Sequence, residues 1–196
     1  MLHKNGILSG INNKKPYNII ARKIFLSYPT SVFIGNEDVE FDICNKISEH
    51  FKIPITSVQV SGSGKVGYSY FKCKWFEPGK SDLDIAIIDM NLFNKYMSIV
   101  YDITKGYTNQ SDFPREKGVS VFNQYIKCLS RGFFRPDLMP NHLEKLSWNK
   151  FFNEISREYF KMFKNINAGI YLSQFFFEQK QSEVIEKFIE IGGERI

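Results

Sequence analysis

The sequence predicts an α+β fold, in which a small β-sheet is flanked by helices and followed by a mostly helical C-terminal part. Two observations predict the strands: residues 57–61 alternate between polar and apolar, and residues 81–88 end in four consecutive apolar residues. Apolar residues at helical spacing around these strands predict the helices. The chain has 196 residues, 43% of them hydrophobic, which suffices for one sizeable core with or without a helical appendage.

The predicted elements begin with an N-terminal arm. Residues 1–35 mix short apolar runs with turn residues and are predicted to pack on the main domain. An amphipathic helix follows, capped by Asn36 or Asp38 and ending before Pro54. Beyond the two strands, the pattern predicts helices at 91–106, 119–129, 142–163 and 178–191, and a strand at 166–172.

Two units are predicted along the chain. Residues 1–130 form the core with its arm, and residues 131–196 form a helical extension packed on the core; a single domain is the alternative. In this extension, the helix at 142–163 is predicted to bury one apolar face made of Leu143, Leu146, Phe151, Ile155 and Tyr159.

Composition excludes several classes of protein. The net charge of +5 and the pI near 9.0 are compatible with a nucleotide or RNA ligand, although solvated lysines explain them equally well. The three cysteines and three histidines lack the spacing of a disulfide framework or a zinc site. No apolar stretch has membrane-spanning length and the N-terminus lacks the apolar core of a signal peptide, so we expect a cytoplasmic protein without a membrane partner.

The stretch VSGSGKVGYS, residues 60–69, has the composition of a phosphate-binding loop. It is not a Walker A loop, because that loop needs a glycine where Gln59 stands and a hydroxyl residue where Val66 stands. Glycine nevertheless allows the backbone to approach a phosphate closely, so Gly62 and Ser63 are candidate phosphate ligands.

Two aspartates at the start of the second strand are the candidate metal ligands. Residues two apart in a strand point to the same side, so Asp82 and Asp84 are predicted to lie side by side. A divalent cation would relieve their repulsion, and Mg²⁺ prefers oxygen ligands that it shares with substrate phosphates.

A strand leading into Gly-Ser, followed by a strand with Asp-x-Asp, resembles the polymerase-β-like nucleotidyltransferase superfamily. The resemblance covers roughly residues 36–105 and is closest to its small bacterial stand-alone members. It implies a small mixed β-sheet and transfer of a nucleoside monophosphate (NMP) from an NTP to a hydroxyl of RNA, protein or a small molecule. Small members occur in bacterial toxin–antitoxin and antiphage systems.

The resemblance also assigns roles to residues. Asp82 and Asp84 become catalytic and metal-binding, with Mg²⁺ or Mn²⁺ as the cofactor. The nucleotide-binding residues are Gly62, Ser63, Lys65, Gly67 and Ser81, with Lys65 neutralising phosphate charge.

Two departures from this family pattern concern the active site. About eighteen residues separate Ser63 from Asp82, and this basic, aromatic insertion predicts either a substrate-contacting lid or a hairpin whose lysines face water. Active members usually place a third carboxylate on a later strand. Asp112 and Asp137 are the nearest candidates, although Asp137 is also predicted to cap a helix or to pair with Arg135.

Two functions therefore remain open. The first is a Mg²⁺-dependent nucleotidyltransferase. The second is a catalytically degenerate subunit that binds a nucleotide or a protein partner, or forms a homo-oligomer, through the Phe-rich C-terminal part that includes Phe175, Phe176 and Phe177.

Overall fold

The computed structural model describes residues 2–193, which form a mixed four-stranded sheet, two small hairpins and surrounding helices. The strands are β1 (Val58–Ser61), β2 (Tyr68–Ser69), β3 (Lys74–Trp75), β4 (Leu83–Ile88), β5 (Arg115–Glu116), β6 (Val119–Ser120), β7 (Phe133–Phe134) and β8 (Ile166–Tyr171). The α-helices are α1 (Leu2–Asn12), α2 (Tyr17–Arg22), α3 (Glu37–Phe51), α4 (Gly62–Val66), α5 (Met90–Ile103), α6 (Phe122–Leu129), α7 (Leu143–Glu158) and α8 (Gln174–Glu190). A π-helical turn follows α2 at Lys23–Ser27, and 3₁₀ turns lie at Ser31–Phe33, Ile55–Ser57 and Pro136–Leu138.

The main sheet has the strand order β1-β4-β8-β7. β4 is antiparallel to β1 and parallel to β8, and β8 is antiparallel to β7. The predicted α+β class is thus confirmed. Since β8 belongs to the predicted C-terminal extension and pairs with β4 of the predicted core, the sheet takes strands from both sides of residue 130.

Alternation along β4 gives each face of the sheet its own core. Leu83, Ile85 and Ile87 point into the larger core, where they meet side chains of α3, α5 and α7. Ala86 points to the opposite face and contributes to a second core with residues of α1, α2 and α8. Asp84 lies on the same face as Ala86, because residues two apart in a strand point to the same side.

The N-terminal arm packs on the sheet as predicted. Ile7, Ile20 and Phe25 are buried in the second core. Arg22 of α2 donates two hydrogen bonds, of 2.7 and 3.0 Å, to the buried carboxylate of Glu178 on α8. This bidentate pair orients α2 along α8.

The prediction for the buried face of α7 was right for Ile155 and wrong for Leu143 and Leu146. Leu143 and Leu146 are 78% and 62% exposed, and the helix buries Trp148 and Phe152 together with Ile155. These three residues follow an i, i+4, i+7 pattern, whereas the predicted set contains a five-residue step that shifts it around the helix. The opposite side of α7 is therefore free to present polar residues to solvent.

Candidate functional site

A cavity of about 600 Å³ opens where β1, β4 and β8 lie side by side. The Gly62–Ser63 turn and Asp84 form part of its wall, together with the β2–β3 hairpin, α7, the start of β8 and α8. Ligand pockets in proteins have volumes of roughly 300–1,000 Å³, so this cavity has room for a nucleotide-sized ligand.

Gly62 follows β1 directly and contacts the carboxylate of Asp84. Its φ of +61° is in the left-handed region, and a Cβ at this position would overlap Oδ2 of Asp84. Glycine is therefore required here for two reasons, the backbone conformation and the approach of the carboxylate. Residues 62–66, predicted to be a loop, form the short helix α4, so Ser63 belongs to a helical turn that lines the cavity.

Asp84 is the carboxylate of the cavity that lies beside the Gly62–Ser63 turn. It pairs in register with Ser61 on one neighbouring strand and with Asn167 on the other, so these side chains form a row across one face of the sheet. Solvent reaches Asp84 through the cavity, but protein atoms surround it. This burial raises the pKa of Asp84 to about 6; the neighbouring carboxylate of Asp82 adds to the rise, and Lys72 opposes it.

Asp82 precedes β4 and is half-buried beside the cavity rather than in its lining. Its Oδ1 accepts a hydrogen bond of 2.9 Å from Nδ2 of Asn165, which lies just before β8. Asp82 and Asp84 are close enough for their charges to interact, which agrees with the predicted juxtaposition of the two aspartates.

The strand beside Asp84 presents amides instead of a third acid. β8 has the sequence INAGIY, with Asn167 in register with Asp84. Asp112 is exposed on a loop, where it accepts a hydrogen bond from Asn109. Asp137 does line the cavity, and it accepts hydrogen bonds of 3.1 and 2.5 Å from Arg135, as its predicted pairing requires.

The structure does not bring three of the predicted nucleotide-binding residues to this cavity. Lys65 is only 5% exposed, and its Nζ donates a 2.7 Å hydrogen bond to the carbonyl oxygen of Tyr28. Burial lowers the pKa of Lys65. Gly67 ends α4 with a φ of +83°, and Ser81 accepts a 3.0 Å hydrogen bond from the backbone of Glu77.

The insertion between Ser63 and Asp82 contains the predicted hairpin, and its tip reaches the cavity. β2 and β3 make a hairpin in which Tyr68 and Tyr70 are buried against the protein. The tip is different: Phe71 is 59% exposed and lines the cavity, and Lys72 next to it is exposed. Lys72, near enough to influence Asp84, is therefore the hairpin lysine that can meet a phosphate.

Sequence reasoning missed the residues that α7 and α8 contribute. Asn149 and Asn153 of α7 and Lys180 of α8 line the cavity. They lie at least 65 positions beyond Asp84, and only the parallel pairing of β4 with β8 brings their segment to the aspartates. No local pattern at these residues indicates a site.

The donor set suits a metal that is shared with a ligand. Within residues 2–193, no three His, Cys, Asp or Glu side chains are grouped as a metal site. Two repelling carboxylates with amide oxygens nearby are nevertheless the oxygen donors that Mg²⁺ accepts, and Mg²⁺ usually completes its shell with water and phosphate. The residues present thus fit Mg²⁺ or Mn²⁺ delivered together with a triphosphate.

Comparisons with known proteins add no relative: no family model, curated protein or solved structure matches the chain. The resemblance to nucleotidyltransferases therefore stays a prediction from the sequence motifs at Gly62–Ser63 and Asp82–Asp84. Across residues 2–193, none of the helices combines the length and the apolar character needed to cross a membrane.

Proposed function

We propose that the protein binds an NTP with Mg²⁺ in the cavity and transfers NMP to an acceptor hydroxyl. The observation that supports this most is the convergence of Gly62, Ser63 and Asp84, from two strands, on one cavity of nucleotide size. The two strands are antiparallel neighbours, which keeps the glycine turn against the carboxylate.

Each residue has a defined part in this proposal. The Gly62 backbone and the Ser63 hydroxyl bind the β- and γ-phosphates, and Lys72 neutralises part of their charge in place of Lys65. Asp82 and Asp84 hold Mg²⁺, whose chemistry is to screen the phosphate charge that accumulates during the displacement. Asp84 must be deprotonated for this, so metal binding strengthens as the pH rises above about 6.

The transfer is a displacement of pyrophosphate at the α-phosphorus of the NTP. The acceptor oxygen forms a bond to the α-phosphorus, while the bond from that phosphorus to the bridging oxygen of the β-phosphate breaks. Pyrophosphate leaves with the electron pair, and the hydroxyl proton passes to solvent. A bacterial toxin–antitoxin or antiphage role in the cytoplasm is part of the proposal, and the three free cysteines suit a reducing compartment.

Thermal unfolding with each of the four NTPs, with and without Mg²⁺, tests the binding step. We expect a metal-dependent rise in Tm with at least one NTP in the wild type, absent in Asp84→Ala and retained in Asp112→Ala, whose carboxylate is on an exposed loop. A ligand at 100 times its Kd stabilises by about 2.7 kcal/mol. The absence of any shift in the wild type, or an equal shift in Asp84→Ala, would contradict the proposal.

A second candidate function is nucleotide binding without transfer. It is favoured by the side chain next to Asp84 on β8, which is the amide of Asn167 and not a third acid. The Phe-rich segment would then serve a protein partner or a second copy of the chain, since Phe175 is 59% exposed while Phe177 is fully buried. NTP binding without release of labelled pyrophosphate, together with a complex that dissociates in Phe175→Ser, would favour this candidate.

A further inference from the structure

The side of the cavity formed by β8 and α7 is lined by asparagines. Asn149 and Asn153 of α7 join Asn165 and Asn167 in the lining of the same cavity as Asp84 and Ser63. We call these four residues the amide wall. Asn165 uses its amide to hold Asp82. Within residues 2–193, the other three amides make no side-chain hydrogen bond to the protein, and all three are exposed in the cavity.

The position of the amides in α7 is unfavourable for the helix alone. Asn149 and Asn153 occupy the middle of α7, four residues apart, so they lie on one side of the helix. Asparagine is a poor helix former, because its amide competes for backbone hydrogen bonds. Each costs roughly half a kcal/mol relative to alanine. Both side chains face the cavity, so their amides are available to a ligand there.

The amide wall lies across Asp84 from the phosphate turn. The order of the strands places Ser61, Asp84 and Asn167 in one row, with the Gly62–Ser63 turn at one end and the amide at the other. α7 lies beside the start of β8, where the Ser156 hydroxyl accepts a 2.8 Å hydrogen bond from the Ile166 backbone. In an in-line displacement, the attacking group approaches from the side opposite the leaving pyrophosphate, and this is the side of the wall.

Two cations that line the cavity already have acidic partners. Arg135 pairs with Asp137, and Lys180 pairs with Glu183, so neither cation is free for an anionic acceptor. Amides offer both donors and acceptors without charge, which suits hydroxyl groups. Trp148 and Phe152 are also in the lining, but they are almost fully buried in the core, so the accessible surface of the wall is mostly amide.

We propose that the amide wall binds the acceptor, and that this acceptor is an uncharged, sugar-like compound with several hydroxyl groups. The inference rests on the proposed function for the transfer step, but binding at the wall is measurable without it. A free polyol and the ribose of a nucleoside present the same chemistry.

The probes are methyl α-glucoside, myo-inositol and the nucleoside adenosine, with glucosamine and glucuronate as charged analogues. Each is incubated with labelled NTP and Mg²⁺, and each is also titrated calorimetrically without NTP. We expect at least one neutral probe to bind and to be labelled, and the charged sugars to react at least tenfold less. Labelling of adenosine alone would identify the source of the hydroxyls as a ribose.

Substitution separates the wall from the nucleotide site. Asn149→Ala/Asn153→Ala is expected to raise the acceptor KM about fivefold per amide, the equivalent of one hydrogen bond each, with kcat and the NTP-dependent Tm shift unchanged. Asn123→Ala, an exposed helical amide on α6 outside the cavity, is the matched control. Asn149→Asp/Asn153→Asp should shift the preference toward glucosamine.

The two proposals fail in distinguishable ways. Absence of NTP binding in the wild type contradicts the proposed function, while the calorimetric titration still tests the wall. An unchanged acceptor KM in the double alanine variant, equal reaction of charged and neutral sugars, or no binding of any neutral probe would overturn the amide wall as an acceptor site.

Discussion

β4 and β8 lie side by side and parallel, yet they contribute chemically different side chains to the same cavity. At one register position, β4 contributes the carboxylate of Asp84 and β8 contributes the amide of Asn167. Negative charge is thereby concentrated on the β4 side, next to the Gly62–Ser63 turn, while the β8 side remains neutral. The difference indicates that one half of the cavity is suited to a cation with phosphates and the other half to an uncharged ligand.

The largest effect is expected from removing the contact between the turn and the carboxylate. Gly62→Ala should lower the free energy of unfolding by about 2–4 kcal/mol, because left-handed backbone costs an alanine about 1–2 kcal/mol and its Cβ would overlap Asp84. Urea unfolding measures this change. Gly35→Ala is the control, since Gly35 has a φ of +81° but no atom within 4 Å of an added Cβ. Equal losses in the two variants would refute the contact.

Making the two strands chemically alike should change metal affinity. Asn167→Asp places a third carboxylate beside Asp84, and we expect Mn²⁺ to bind about tenfold more tightly, equivalent to about 1.4 kcal/mol. Without metal, the added repulsion should raise the pKa of Asp84 further and destabilise the fold above pH 7. Calorimetric titration with Mn²⁺ checks the affinity, with Asn123→Asp on α6 as the control. Unchanged affinity would show that residue 167 does not face the metal.

A pH effect should distinguish the charged side from the neutral side. The folded-state pKa of Asp84, about 6, lies above its ordinary value, so its stabilising contribution is complete below pH 4 and is lost as the pH rises through 6. Asp84→Asn should therefore exceed the wild type in stability at pH 8 by about 1 kcal/mol, a figure reduced for solvent screening, and should equal it at pH 3.5. Urea unfolding at both pH values is the measurement, with Asp112→Asn as a surface control. A gain that is independent of pH would contradict this account.

The smallest effect is the loss of NTP affinity on replacing Lys72, and Lys65 is the comparison. Lys72→Ala should weaken NTP binding about threefold, because an exposed charge contributes roughly 0.2–1 kcal/mol. Lys65→Met should leave NTP affinity unchanged and lower stability instead, because Lys65 is buried against the Tyr28 carbonyl. Fluorescence titration with NTP and thermal unfolding separate the two outcomes. Loss of NTP affinity in Lys65→Met would restore the phosphate-binding role predicted for that residue.

Local patterns predicted the β4 half of the cavity because its features are consecutive in sequence. Gly62 and Ser63 follow β1 directly, and Asp82 and Asp84 lie on either side of Leu83, the first residue of β4, so period-two alternation sufficed to predict that the aspartates are neighbours. The exception is Lys65, whose burial depends on Tyr28 in the N-terminal arm. A strand at 166–172 was also predicted, but its pairing with β4 was not, since hydrophobic pattern does not specify a strand's neighbour.

The β8 half could not be predicted for the same reason. Asn149 and Asn153 have no distinguishing sequence context. Whether they face the cavity depends on the rotation of α7 about its axis, and the apolar pattern around Leu143 and Leu146 predicted the wrong rotation. Trp148 and Phe152, the residues that fix this rotation, are recognisable as the buried face only once the neighbouring core is known.

The pairing of Leu83 with Ile166 also governs the order in which the molecule can fold. Parallel strands so far apart in sequence close a long loop, which slows folding and leaves β4 an unpaired edge until β8 arrives. That edge contains the apolar run Ile85-Ala86-Ile87-Ile88, the kind of segment through which incompletely folded chains associate. Chains that stop before residue 166 should therefore aggregate, although they contain both aspartates. In the full chain, β8 pairs with this edge of β4 and prevents such association.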